Sequence, residues 1–142
     1  MKYKKSSSIL GKLGKVRSGA LRSLSESVGL HLAQPPILSI LKDEPNLTLN
    51  EIASRLSLTQ ASVTMNLARM EKAGLIYKSP DDTDGRKLRI NSTSLGAERF
   101  MEIEKLLEDF DGVMFKGFNE EEKNALLKSL TKIIDNIEYS HL

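Results

Sequence analysis

Residues 49–93 read LNEIASRLSLTQASVTMNLARMEKAGLIYKSPDDTDGRKLRINST, which is two short helical patterns, a tight turn and a charged hairpin in that order. Thr48 and Glu51 have the spacing of a capping box, in which a side-chain oxygen at each end takes a backbone N–H from the other. The helix they open presents Leu49, Ile52, Ala53 and Leu56 on one face. Ser57-Leu58 is expected to form the turn, and Thr59 to cap a second helix that runs to about Ala73 and stops at Gly74. Two extended runs, Leu75–Ser79 and Lys87–Asn91, flank the loop Pro80–Arg86, which is too long for a two-residue hairpin and carries charge at its tip.

Residues of the second helix fall about 100° apart around its axis. Val63, Leu67 and Met70 then cluster on a core-facing side, opposite Ala61, Met65, Ala68 and Lys72, with Thr64 and Arg69 flanking them. An ordinary solvent face would carry Glu, Lys and Gln. This one is small and apolar near its start, with Gln60, Ser62 and Thr64 as short hydrogen-bonding groups, which suits a helix that fits between the walls of a DNA groove. Gln60 has the geometry to pair with adenine, Thr64 with several bases, and Ala61 or Met65 to touch thymine methyls. Backbone N–H groups near Thr59 favour phosphate. The competing reading packs Ala61, Met65 and Ala68 against a partner helix.

In the hairpin, Asp84-Gly85-Arg86 sits at the loop tip, bordered by Lys78, Lys87 and Arg89. Arg86 can enter a minor groove or grip phosphate through its planar fork. Asp84 belongs beside DNA only if it orients an arginine by a bidentate pair. Asp81 and Asp82 read as ordinary solvated turn residues.

Outward from this stretch, Ile9 to Leu32 has apolar residues at helical spacing, broken intrinsically by Gly11, Gly14 and Gly19. Its serine-rich polar face and lack of aromatic anchors favour packing on protein over lying on a membrane. Gln34-Pro35-Pro36 opens a short helix, because proline is tolerated in a first turn. After Gly96 come a helix bearing Phe100, Ile103, Leu107, Phe110 and Met114, and a last helix capped at Asn119 bearing Leu126, Leu127, Leu130, Ile133, Ile134 and Ile137. These are too apolar on too many sides for a lone helical pair in water, so they either cover the central domain or pair with a second chain. We expect a homodimer. The division expected is residues 1–32 as an N-terminal dimerisation helix, 33–93 as a DNA-binding domain and 94–142 as C-terminal dimerisation helices. The fold class is mostly α with a small β-hairpin wing.

The composition, 39% hydrophobic and 28% charged over 142 residues, is that of one globular domain. The net charge of +2 is sorted along the chain. Residues 1–30 hold seven Lys/Arg against Glu26, residues 55–90 seven against four acids, and residues 98–142 six against eleven. A basic front and middle suit a protein that faces a polyanion. The absence of cysteine excludes disulfides and thiolate metal sites, and two histidines make a zinc site improbable. No apolar run approaches a membrane span, and no signal-peptide core follows the basic MKYKKSSS, so a cytoplasmic location is expected. No nucleophile–histidine–acid set, phosphate loop or metal-ligand spacing is present, and neither enzymatic activity nor a cofactor is expected.

Taken together, these segments resemble the multiple-antibiotic-resistance regulator (MarR) family of winged helix-turn-helix transcription factors. The similar pieces are Leu30-x-Leu32-x-Gln34-x-x-Ile37-Leu38, Leu49-x-Glu51-Ile52-Ala53-x-x-Leu56, Ser62-Val63-Thr64, Glu71-x-x-Gly74-Leu75-Ile76, and Asp84-x-Arg86 followed by Thr93 and Gly96. The resemblance implies a homodimer that binds a palindromic operator on double-stranded DNA, usually as a repressor released by a small, often phenolic, effector. Residue by residue, the resemblance carries over to Thr64, Asp84 and Arg86; with the reading of the helix and hairpin above, the expected DNA contacts are Thr59, Gln60, Ala61, Ser62, Thr64, Met65, Arg69, Lys78, Asp84, Gly85, Arg86 and Lys87. His31 is the candidate effector contact. Met65 and Gly85 stand where many members have arginine, Ser92 replaces the usual leucine, and Pro35-Pro36 is unusual for the family. The alternative is a winged-helix protein-interaction module without specific DNA binding.

Overall fold

The structure is a computed structural model that describes residues 5–141, so Met1–Lys4 of the basic opening stretch, and Leu142, lie outside it. Six helices and one hairpin follow in the order α1 (Lys5–Ser27), α2 (Gln34–Asp43), α3 (Leu49–Leu56), α4 (Gln60–Lys72), β1 (Ile76–Pro80), β2 (Leu88–Ser92), α5 (Ser94–Met114) and α6 (Glu120–Glu138). The class is mostly α with a small antiparallel wing, as expected. The strands pair from Ile76 opposite Ser92 to Pro80 opposite Leu88. Each strand begins one residue later than the sequence reading placed it, because pairing rather than local propensity sets the ends.

The chain divides into two compact units, Met1–Leu107 and Glu108–Leu142. In the first, one apolar core gathers Ile37, Leu38 and Leu41 from α2, Ile52 and Ala53 from α3, and Val63, Leu67 and Met70 from α4. Ile76 and Ile90 of the wing and Phe100 and Ile103 of α5 close it. Pro35 and Pro36 occupy the first turn of α2, where no intrahelical N–H is lost. The Thr48–Glu51 capping box is complete at both ends. Ser57 makes the turn between α3 and α4 with a left-handed φ of 52°.

Beyond the wing, Thr93 fastens three segments. Its hydroxyl donates to Gly74 O and accepts from Gly96 N–H, while its own N–H donates to Leu75 O. Gly96 lies so close to the Leu75 carbonyl that an added Cβ would sit 2.1 Å from the oxygen, so no larger residue fits there.

Along α1, Ile9, Leu10, Leu13 and Val16 are all exposed. In the second unit, the Asn119–Glu122 capping box starts α6 as expected. Phe115 and Phe118 meet edge to face at 5.6 Å, and Lys123 lies 4.6 Å over Phe115 while pairing with Asp111 at 3.1 Å. No residue of α6 is buried; Leu126, Leu127, Ile133, Ile134 and Ile137 all face outward. No helix among the described residues is long and apolar enough to cross a membrane.

Candidate nucleic-acid interface

Helix α4 is oriented by its apolar stripe. Val63, Leu67 and Met70 are fully buried, which turns Gln60, Ala61, Thr64, Met65, Ala68, Arg69 and Lys72 outward. Met65 keeps 51% of its surface, a large exposure for an apolar side chain near the middle of a helix. Asn66 was not anticipated as an inward residue; it is buried, and its amide donates to Ser62 O of the preceding turn at 2.9 Å. Thr59 caps the helix by accepting from Ser62 N–H at 3.1 Å, and Ser62 itself is half-buried. Thr64 is outward, but its hydroxyl donates to Gln60 O at 2.7 Å. Its hydrogen is therefore committed to its own helix, and what it offers outward is a methyl group and an oxygen acceptor.

The wing tip projects Arg86 almost completely into solvent, with 95% of its side chain accessible. Asp84 does orient it, through one oxygen rather than a bidentate fork: Oδ1 accepts from the Arg86 backbone N–H at 3.1 Å and lies 3.4 Å from Nε. Gly85 and Lys87 are exposed beside it. Lys78 is partly covered and lies 3.8 Å from Glu71, a loose surface pairing.

Two charged residues of the wing, Asp81 and Arg89, form its framework, and the first departs from expectation. Asp81, read from the sequence as a solvated turn acid, is the structural hub of the loop, with only 13% of its side chain accessible. One oxygen takes the Arg89 Nε–H at 2.9 Å; the other takes the Thr83 hydroxyl at 2.9 Å and the Asp84 N–H at 3.1 Å. The bond from Arg89 is the main reason its carboxyl is lowered to about 2 from the ordinary 3.8, with the Thr83 bond next. Asp82, by contrast, is exposed as expected. Arg89 does not stand free as a DNA-facing cation. It also donates from Nη1 to Asn46 O at 3.1 Å and lies 3.5 Å from Glu51 Oε2. Opposed carboxylates raise its pKa, Asp81 first and Glu51 after it.

Beside it, Asn46 (φ 63°) and Asn91 exchange two hydrogen bonds of 2.9 and 2.7 Å, and Ile90 N–H reaches Leu47 O at 2.8 Å. Nothing in the spacing of Asn46 and Asn91 marks them as partners.

Between α3, α4 and the wing lies an open cleft of about 470 Å³, rimmed by Thr48, Lys78, Arg86 and Arg89 above an apolar floor of Leu67 and Ile90. His31 lies in the turn between α1 and α2. Its side chain is exposed, and its backbone N–H donates to Gln34 Oε1 at 3.1 Å. Among the described residues no cluster of His, Asp or Glu has metal-binding geometry.

The chain is similar in sequence and fold to known proteins. The sequence pattern of the MarR family fits residues 28–87, from the end of α1 to the wing tip. The HTH-type transcriptional regulator FarR of Neisseria gonorrhoeae is 30% identical over 72% of this chain and 69% of its own. The chain belongs to the MarR family. Another relative, the HTH-type transcriptional repressor IacR of Pseudomonas putida, is 22% identical over 83% of this MarR-family chain and 71% of its own. Two further curated regulators are matched over only 61% and 60% of their lengths. Among solved structures, the MepR–DNA complex of Staphylococcus aureus superposes with a TM-score of 0.82 at 22% identity, covering 92% of this chain and 95% of that one. This MarR-family member is a DNA-binding transcriptional regulator rather than an enzyme.

Proposed function

We propose that this MarR-family protein is a homodimeric repressor of palindromic operators that releases DNA when a small acidic aromatic molecule binds. The observation that carries the reading is the pairing of two surfaces on one face-giving frame. Helix α4 turns out Gln60, Ala61, Thr64 and Met65, while the wing holds Arg86 out with 95% accessibility. A face of that composition reads base edges, and a lone arginine on a hairpin tip grips phosphate or the minor groove. Thr59, Ser62, Arg69, Lys78, Asp84, Gly85 and Lys87 complete the contact surface in this reading.

Dimerisation is supported by the uncovered apolar residues of α1 and α6, which belong to the segments 1–32 and 94–142 assigned to it. Two copies related by a twofold axis set their recognition helices in successive major grooves about 34–36 Å apart. Repression is supported by the relative IacR, a transcriptional repressor. The candidate contact for a small acidic aromatic effector is His31, exposed in the turn between α1 and α2.

The test is fluorescence anisotropy of the purified protein with DNA from just upstream of its own coding region, across about 50–200 mM salt, against scrambled duplex. Tight, salt-sensitive binding that exceeds the scrambled control by about 10³ supports the proposal. No binding to either duplex at low salt overturns it and favours a protein-interaction module built on Met65.

A further inference from the structure

Resting on the reading of α4 and the wing as a DNA-binding surface, we propose that Arg89 is a positioning residue, clasping the wing to the start of α3 so that Arg86 reaches DNA. Four observations converge. Arg89 sits on β2, three residues from the tip arginine, with only 29% of its side chain accessible. Its Nε holds Asp81 at 2.9 Å, at the point where β1 enters the loop. Its Nη1 spans out of the hairpin to Asn46 O at 3.1 Å and to Glu51 at 3.5 Å. Glu51 is itself fixed, because Oε2 accepts the Thr48 N–H of the α3 capping box at 2.9 Å.

One planar guanidinium therefore connects three segments: the hairpin neck, the turn before α3, and the first turn of α3. Its fixed fork of donors makes such a bridge possible, and a lysine ammonium at this position would have to choose among the partners. The far side of the Asp81 carboxylate holds Thr83 and the Asp84 N–H. Asp84 in turn holds Arg86. The chain of contacts thus runs from α3 through Arg89, Asp81 and Asp84 to the tip. A two-stranded hairpin is marginal by itself and needs such a brace to hold a direction. The adjacent Asn46–Asn91 exchange ties the same strand to the same turn.

The consequence is an energetic coupling between a residue that touches DNA and one that does not. The experiment is a double-mutant cycle in DNA binding, with Arg86→Ala, Arg89→Gln and the double variant, each measured across salt concentration. Arg86→Ala is expected to weaken binding about tenfold near 0.1 M salt and to reduce the log–log salt slope by about 0.9, the loss of one phosphate contact. Arg89→Gln is expected to produce most of the same loss of affinity and slope, and to add less than about twofold in the Arg86→Ala background. Asp81→Asn attacks the clasp from its other side and is expected to reproduce Arg89→Gln, which covers the case in which either variant perturbs folding.

Equal losses in both backgrounds with an unchanged slope would make Arg89 a merely structural residue and overturn the proposal. A double variant whose slope falls by about 1.8 would place Arg89 itself on a phosphate, and would overturn it differently. Wild-type protein with no salt-dependent binding to any duplex would instead remove the DNA-binding reading on which it rests.

Discussion

Helices α4 and α6 both carry large aliphatic side chains at helical spacing, yet they meet opposite fates. Val63, Leu67 and Met70 of α4 are wholly enclosed by α2, α3, the wing and the start of α5, whereas α6 encloses nothing. Ile134 keeps 53% of its surface and Ile137 keeps 65%. Since each aliphatic side chain gains roughly 1.5–3 kcal/mol on full burial, the stripe of α4 is satisfied within one chain and that of α6 is not. Hydrophobic periodicity therefore says that a face must be covered, while the covering molecule depends on what else the fold supplies.

The sharpest way to break that contrast is to truncate equivalent residues on both sides. Leu67→Ala is expected to cost about 2–5 kcal/mol in chemical unfolding, through lost transfer energy and the cavity left behind. Ile137→Ala should change the unfolding of an isolated monomer by less than about 0.5 kcal/mol. Comparable losses at low protein concentration would show that α6 is covered within its own chain.

Next in size is the association itself. Ile134→Asp places a charge in the exposed stripe and should shift the protein to monomer in sedimentation or light scattering, with helix content unchanged. A variant that remains dimeric would move the interface away from α6. Smaller again is Thr48→Ala, which removes one end of a capping box and should cost about 1 kcal/mol in unfolding. No change would mean that the bond from the Glu51 N–H to the Thr48 hydroxyl does not hold the start of α3.

The smallest effect sharpens the comparison at the wing. Asp81 titrates near 2 when folded, below its ordinary 3.8. Its contribution is therefore present above about pH 4 and is lost as the pH falls through 2. Amide exchange of residues 81–89 should rise over that interval more steeply in wild type than in Asp81→Asn. Identical profiles would show that the Arg89 bond does not brace the loop.

What could be read without coordinates was local. The caps at Thr48, Thr59 and Asn119 depend on neighbours three residues away, and the buried stripe of α4 follows from the period of an α-helix. The outward face of α4, including Met65, was legible for the same reason. Asp81 was not, because its partner Arg89 lies on the other strand of the hairpin and a further partner of that arginine, Glu51, lies on α3. A run such as PDDTDGRK gives no indication which of its acids turns inward. Asn66 was missed because its amide is satisfied by Ser62 O of its own helix, which allows a polar group into the core without a distant partner.

The Thr93 joint has a mechanical meaning. The hydroxyl of Thr93 fastens Gly74, just past the end of α4, to Gly96, in the first turn of α5, and the Leu75 carbonyl fills the notch where a side chain of residue 96 would have stood. Contacts that close cannot be compressed, and close-packed interiors transmit displacement instead of absorbing it. The joint therefore sets the spacing between the end of α4 and the first turn of α5, and a side chain at residue 96 would have to force the two apart.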